Sequence, residues 1–144
     1  MKTYRQYRGF TLLEALFAAM LIGLVVVALV AASGAFTVAN GYGVDLSTAE
    51  FLIEQVREMT TRPEVTIDGL ISLDDVAWGP PKDAAGNTLP EFSEFIQKID
   101  ADYLQPGNLT QVSSSPTDFI RLTVTIYKNN VPISSTSWVR ARLN

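Results

Sequence analysis

Between Ala15 and Val44 the chain contains no charged residue, and no other feature limits its fold so tightly. From Phe10 to Phe36 there are 27 residues, and Glu14 is the one charge among them. As an α-helix this stretch is about 40 Å long, more than the roughly 30 Å of a bilayer's hydrocarbon core. Such a segment can span a membrane, and the chain is then expected to be an inserted helix plus whatever the remaining residues build. Lys2, Arg5 and Arg8 stand in front of it. The positive-inside rule keeps that flank cytoplasmic and places the C-terminal part outside. The apolar run exceeds the about 7–15 residues of a signal-peptide core, although Ala31-Ala32-Ser33-Gly34-Ala35 has the small residues of a signal cleavage site.

Charge is unevenly placed. The chain holds 11 basic and 15 acidic residues; three of the basic ones lie in the first nine positions, which leaves 8 against 15 beyond them. That acidic balance argues against a nucleic-acid partner, because phosphate binding needs a basic face. There is no cysteine and no histidine. Disulfides are excluded, the usual zinc ligands are missing and so is the usual general base at neutral pH. The expectation is a non-enzymatic protein without cofactor or metal.

Glu14 raises its own question. A carboxylate at membrane depth costs several kcal/mol unless it is paired, so it marks a functional site by default. The plain alternative is a side chain that reaches the nearby interface. The surrounding residues are Arg8-Gly9-Phe10-Thr11-Leu12-Leu13-Glu14-Ala15-Leu16. This stretch resembles the N-terminal signature of type IV pilins and of the pseudopilins of type II secretion. The match covers residues 8 to 36, with Gly9, Phe10 and Glu14 in the signature positions and a short basic leader before them.

The resemblance implies that a prepilin peptidase cuts between Gly9 and Phe10 and methylates the new amine of Phe10. It also implies that Glu14 pairs with the Phe10 amine, chiefly that of a neighbouring subunit during assembly. In low dielectric such a pair is worth far more than in water, and a mispaired subunit would leave a buried charge unsatisfied. The transmembrane helix, Leu16 to Phe36, would pack with its copies into a filament core, helped by the small residues Ala18, Ala19, Ala28, Ala31 and Ala32. Many relatives carry a helix-bending proline near the position of Ala31, whereas this chain has none before Pro63.

Beyond the apolar run, Asn40-Gly41-Tyr42-Gly43 suggests a break or flexible joint, after which Asp45 or Ser47 would N-cap a second helix. In residues 46–61, Leu46, Ala49, Leu52, Ile53, Val56 and Met59 share one face at helical spacing, with Glu50, Glu54, Arg57 and Glu58 elsewhere. Phe51 falls nearly opposite the apolar stripe, either under a loop or projecting into a neighbouring subunit. Residues 63–92 read as a connector with little regular structure. Asp68, Asp74 and Asp75 do not have the spacing of a calcium loop. Alternation then predicts strands: one around Phe95, Ile99 and Tyr103, a clearer one with Ile120, Leu122, Val124 and Ile126 on one face, and a return strand after a turn at Asn129-Asn130. The return strand divides into Val139, Ala141 and Leu143 against Trp138, Arg140 and Arg142, and Pro132 confines its start to an edge. Ser113-Ser114-Ser115 has no histidine to activate it and reads as a solvated loop.

The expected fold is α+β: a long N-terminal helix, first half transmembrane and second half amphipathic, packed on an antiparallel meander of about three strands. The divisions are a leader over residues 1–9, a transmembrane and filament-core helix over 10–39 and a soluble domain over 40–144. By resemblance the function is that of a pilin-like structural subunit of a type IV pilus or secretion pseudopilus. Small size, no cysteine pair and a Leu/Val-rich hairpin lean toward a minor subunit. Its partners would be the prepilin peptidase, other pilin or pseudopilin subunits, the inner-membrane assembly platform and lipid. It would be a single-pass protein of the bacterial inner membrane with its C-terminal domain extracytoplasmic. The rival is a permanently anchored single-pass protein whose outer domain binds its target as a monomer.

Overall fold

The computed structural model describes residues 11–142. The elements are α1 (Leu12–Thr61), α2 (Ile67–Ile71), β1 (Val76–Trp78), a 3₁₀ turn (Pro90–Phe92), β2 (Phe95–Gln105), β3 (Asn108–Val112), β4 (Phe119–Lys128) and β5 (Val131–Ala141). The class is α+β, a long N-terminal apolar helix with an antiparallel sheet packed on it. Two compact units divide after Tyr42.

The first unit holds α1 as far as Tyr42. Leucine and alanine favour the helix, no proline interrupts it, and its large apolar side chains are exposed, Leu12 at 89% and Phe36 at 72%. An added Cβ at Gly23, Gly34 or Gly41 would meet nothing within 4 Å, so packing inside the chain gives none of these glycines a reason.

The break expected at Asn40-Gly41-Tyr42-Gly43 does not occur: α1 is one 50-residue helix through these positions. Glycine costs about 1 kcal/mol each relative to alanine, too little to end a long ladder that is well formed on both sides. Asp45 and Ser47 are therefore not caps. Ser47 Oγ donates back to the Gly43 carbonyl (2.9 Å), and Asp45 Oδ1 accepts from Lys128 Nζ (2.7 Å).

In the second unit the remainder of α1 buries the expected stripe. Ala49, Leu52, Ile53 and Val56 join Ile99, Ala101, Ile120, Leu122, Val124 and Ile126 in one core. Leu46, expected on that face, is exposed, and Thr60 is buried instead. The Thr60 hydroxyl donates to the Val56 carbonyl (2.8 Å), so its burial leaves no unmet donor. The Thr60 carbonyl accepts from Arg140 Nη1 (2.6 Å). The last turn of α1 has no basic residue of its own, and Arg140 brings a cation to this helix C-terminus, where the dipole favours one.

The sheet has five strands rather than about three, in the order β1-β2-β4-β5, with β3 paired to β2 and every pairing antiparallel. The two extra strands are short. β1 has three residues, and β3 has five that are all exposed, so neither shows a hydrophobic alternation. The connector is also more regular than expected. Thr66 caps α2 by accepting from the Gly69 N–H (3.1 Å), and α2 adds Ile67 and Leu70 to the core. The turn at Asn129-Asn130 is as expected, with φ of 52° and 63°. β5 is an edge strand, which accommodates Pro132. Its core-facing side is the one with Trp138 and Arg140, while Val139 and Ala141 face outward. The reason is reach: the Arg57 guanidinium lies 5.2 Å from the Trp138 ring centroid, and Arg140 reaches Thr60. Leu143 lies outside the described residues.

One polar residue is fully buried on β2. Gln97 accepts from the Lys82 N–H (2.7 Å) and donates to the carbonyls of Leu52 and Lys82 (both 3.0 Å), tying the connector and α1 to the sheet. The next loop is fixed locally. The Asp83 carboxylate accepts from the Asn87 side chain and from the N–H groups of Asn87 and Ala85, which holds its pKa below the ordinary carboxylate value. Gly86, at φ 86°, supplies the left-handed turn.

Candidate processing and assembly site

The candidate site begins where α1 begins. Thr11 precedes the first helical residue, and its carbonyl accepts from the N–H groups of Glu14 and Ala15 (both 3.1 Å). Its Oγ1 also accepts from the Glu14 N–H (3.3 Å). Thr11 therefore caps the helix. The stretch Thr11-Leu12-Leu13-Glu14 has the S/T-x-x-E spacing of a capping box. That signal was present in the sequence and bears on Glu14 directly. A carboxylate in the first turn is stabilised by the helix dipole, by about 0.3–1 kcal/mol in exposed positions. Glu14 thus sits at the N-terminal end of the apolar helix with its side chain exposed.

Gly9 and Phe10 lie outside the described residues, as do Lys2, Arg5 and Arg8. The scissile bond and the amine expected to pair with Glu14 are therefore not among the positions seen here. Leu16 to Phe36 form an unbroken helical stretch, and α1 is long and apolar enough to cross a membrane. Thr37 adds no unmet donor, since its Oγ1 donates to the Ser33 carbonyl (3.1 Å).

Phe51 is partly covered, with the Phe92 ring of the 3₁₀ turn 5.7 Å from it between centroids. It remains 46% exposed. At the end of the sheet near Asp45, Lys128 Nζ contacts both Asp45 Oδ1 (2.7 Å) and Glu94 Oε2 (3.3 Å). The bond to Asp45 is the main cause that raises the Lys128 pKa above its ordinary value. Sequence reasoning missed this group because its members are 83 and 34 positions from Lys128. Among the described residues no three acidic side chains gather in a way that would hold a metal.

The family model for the prokaryotic N-terminal methylation motif matches residues 4–32. No curated protein and no solved structure matches the chain. Proteins with this motif are structural rather than enzymatic, and the motif implies processing by prepilin peptidase and assembly with other pilins. Residues 4–32 run from the basic leader into the exposed apolar helix, and with that combination the chain carries the pilin and pseudopilin signature and fits a type IV pilin-like precursor.

Proposed function

We propose that this chain is a minor pilin or pseudopilin. It is inserted in the bacterial inner membrane by its apolar helix, with the C-terminal domain extracytoplasmic. Prepilin peptidase cleaves it between Gly9 and Phe10 and methylates Phe10, and an inner-membrane platform then assembles it into a type IV pilus or a type II secretion pseudopilus. The parts are a leader over residues 1–9, a membrane and filament-core helix over 10–39 and a soluble domain over 40–144. The observation that carries this reading is the methylation motif running into a helix whose apolar side chains are exposed all round. Such a surface needs lipid before assembly and other apolar helices after it.

Glu14 has the assembly role. Cleavage removes the three leader cations and creates an ammonium at Phe10, four residues from the carboxylate. Methylation keeps that charge, so the pairing survives it. Since Glu14 already sits where the helix dipole favours an anion, the neighbour's ammonium is needed for register more than for local helix stability.

Intact-mass analysis of the membrane-extracted protein tests the processing step. The expected species lacks residues 1–9 and carries one added methyl group. A mature N-terminus near Ala35 would mean an ordinary signal peptide, and an uncleaved chain in cells with active peptidase would mean a permanent anchor. Glu14→Ala should insert and be cleaved like the parent but enter filaments poorly, and equal incorporation at equal expression would remove the assembly role.

A further inference from the structure

β5 ends the sheet on one side, and no strand pairs with its far edge among the described residues. The hydrogen-bond phase shows what that edge presents. The Arg142 N–H donates to the Asp118 carbonyl (2.8 Å), on the register that pairs Phe119 with Ala141. Main-chain groups along an antiparallel pair point alternately at the partner strand and away from it. Ser134, Thr136, Trp138 and Arg140 therefore turn theirs to β4, while Ser135, Ser137, Val139 and Ala141 turn theirs outward. From Ser135 to Ala141 this open row is about 20 Å long at strand spacing.

Natural edges are usually guarded by charge, by proline or by a bulge. On β5 the guards stand at the start: Pro132, and the register shift opposite Ile126 and Tyr127. From Ser134 to Ala141 the pairing with β4 is regular. The one charged residue of β5, Arg140, turns its guanidinium onto the Thr60 carbonyl (2.6 Å). Ser135, Ser137, Val139 and Ala141 are exposed, small and uncharged, so nothing on them repels a neighbouring strand.

The flank of α1 forms a second wall beside this edge. Ser134 Oγ donates to Glu50 Oε1 (2.9 Å), and the Arg57 guanidinium lies 5.2 Å from the Trp138 ring centroid. This flank therefore runs alongside β5 from Ser134 to Trp138. Glu50 and Glu54 stand one turn apart on it and Glu58 follows, all three exposed. Among the described residues the cation that pairs with this row is Arg57, 3.8 Å from Glu54. The row thus holds more negative than positive charge. A strand added to β5 would turn alternate side chains to the α1 side, beside these carboxylates, and the rest to the outer face.

We propose that the edge of β5 docks an extended segment of a different protein by strand addition, a segment with lysine or arginine on its α1 side and small uncharged residues between them. Main-chain bonds to Ser135, Ser137 and Val139 hold the segment, and Glu50 and Glu54 select its basic side chains. Those side chains belong at the Ser134 end, because Arg57 and Arg140 occupy the other. A second copy fits the charge row poorly, since its β5 brings one basic residue, Arg140, already bonded to Thr60. Every group in the site belongs to residues 43–142.

The test uses the full-length chain in a nonionic detergent and a labelled, end-capped peptide of alternating valine and lysine. The lysine peptide should bind, and its valine–glutamate counterpart at least about tenfold more weakly. Hydrogen exchange should slow at the Ser135, Ser137 and Val139 N–H groups in the complex. Glu50→Gln combined with Glu54→Gln should weaken binding of the lysine peptide by about tenfold. Ser137→Pro should abolish binding, since that N–H faces the open edge and proline there removes no bond to β4. If that variant melts early, full N-methylation of the peptide removes the same main-chain bonds without touching the fold and should also abolish binding. No binding of the lysine peptide, equal affinity for the glutamate peptide, or binding that survives N-methylation would overturn the proposal, as would binding without slowed exchange at those three groups. Slowed exchange there in the chain alone, rising with its concentration, would mean that a second copy holds the edge and would overturn it too.

Discussion

The two halves of α1 belong to one helix but answer to different solvents. Up to Tyr42 its apolar side chains point in every direction and none is buried, while from Gly43 onward Ala49, Leu52, Ile53 and Val56 form one buried stripe with charges opposite. A helix apolar all round needs lipid or other helices around it, whereas an amphipathic one needs a single apolar surface. The comparison teaches that helix continuity and burial pattern are set by different forces. Backbone hydrogen bonds carry the helix through Asn40-Gly41-Tyr42-Gly43, and side-chain burial changes character there without breaking it.

The sharpest way to break the comparison is to treat the second half as though it were surface. Val56→Asp places a charge in the core under the sheet, and the cost should exceed about 4 kcal/mol. For residues 43–142, which hold no disulfide, that is enough to unfold the packed core, which a urea melt followed by tryptophan fluorescence would show. Retention of the parent's midpoint would mean that the wrong face of α1 has been assigned to the core.

Gln97→Leu comes next. It strands the Lys82 N–H and removes the donor to the Leu52 carbonyl, so a loss of about 1–3 kcal/mol is expected. Early protease cleavage between residues 79 and 90 should accompany it, because Gln97 ties that connector to the sheet.

Lys128→Met sharpens the boundary between the halves, since it removes the cation that Asp45 holds. The Lys128 pKa is raised in the folded protein, first by the Asp45 bond, with burial opposing and Glu94 adding. A raised folded pKa makes its contribution fully present below the unfolded value and loses it as pH climbs through the folded one. The stability gap between parent and variant should therefore hold from neutral pH to about 10 and close at pH values above the ordinary lysine value of 10.5. A gap that widened with alkali would contradict the assignment. Glu54→Ala should have the smallest effect, under about 0.5 kcal/mol, because among the described residues the ion-pair partner of Glu54 is Arg57, 3.8 Å away on the solvent side.

Much of this was legible in advance. The apolar stripe of residues 49–56, the alternation of Ile120, Leu122, Val124 and Ile126, and the Asn129-Asn130 turn all come from local periodicity and turn chemistry, and the structure has them where they were expected. The methylation signature around Glu14 was legible because it is contiguous, though the Thr11 cap was overlooked. What was not legible depended on distant partners. β1 is a strand because three residues, Val76, Ala77 and Trp78, pair with Gln97, Lys98 and Ile99. β5 turns Trp138 and Arg140 inward because Arg57 and the Thr60 carbonyl await them on α1.

By itself the sequence determined the membrane-length helix, the charge asymmetry ahead of it, the processing signature and the strands whose alternation is complete, since each is written in neighbouring residues at a fixed period. Only the tertiary structure decided that the helix runs unbroken through two glycines, that a glutamine belongs in the core, which face of the last strand is inside, and which main-chain edges stay open. Those outcomes depend on hydrogen-bond partners brought together from far along the chain, and no local period encodes them.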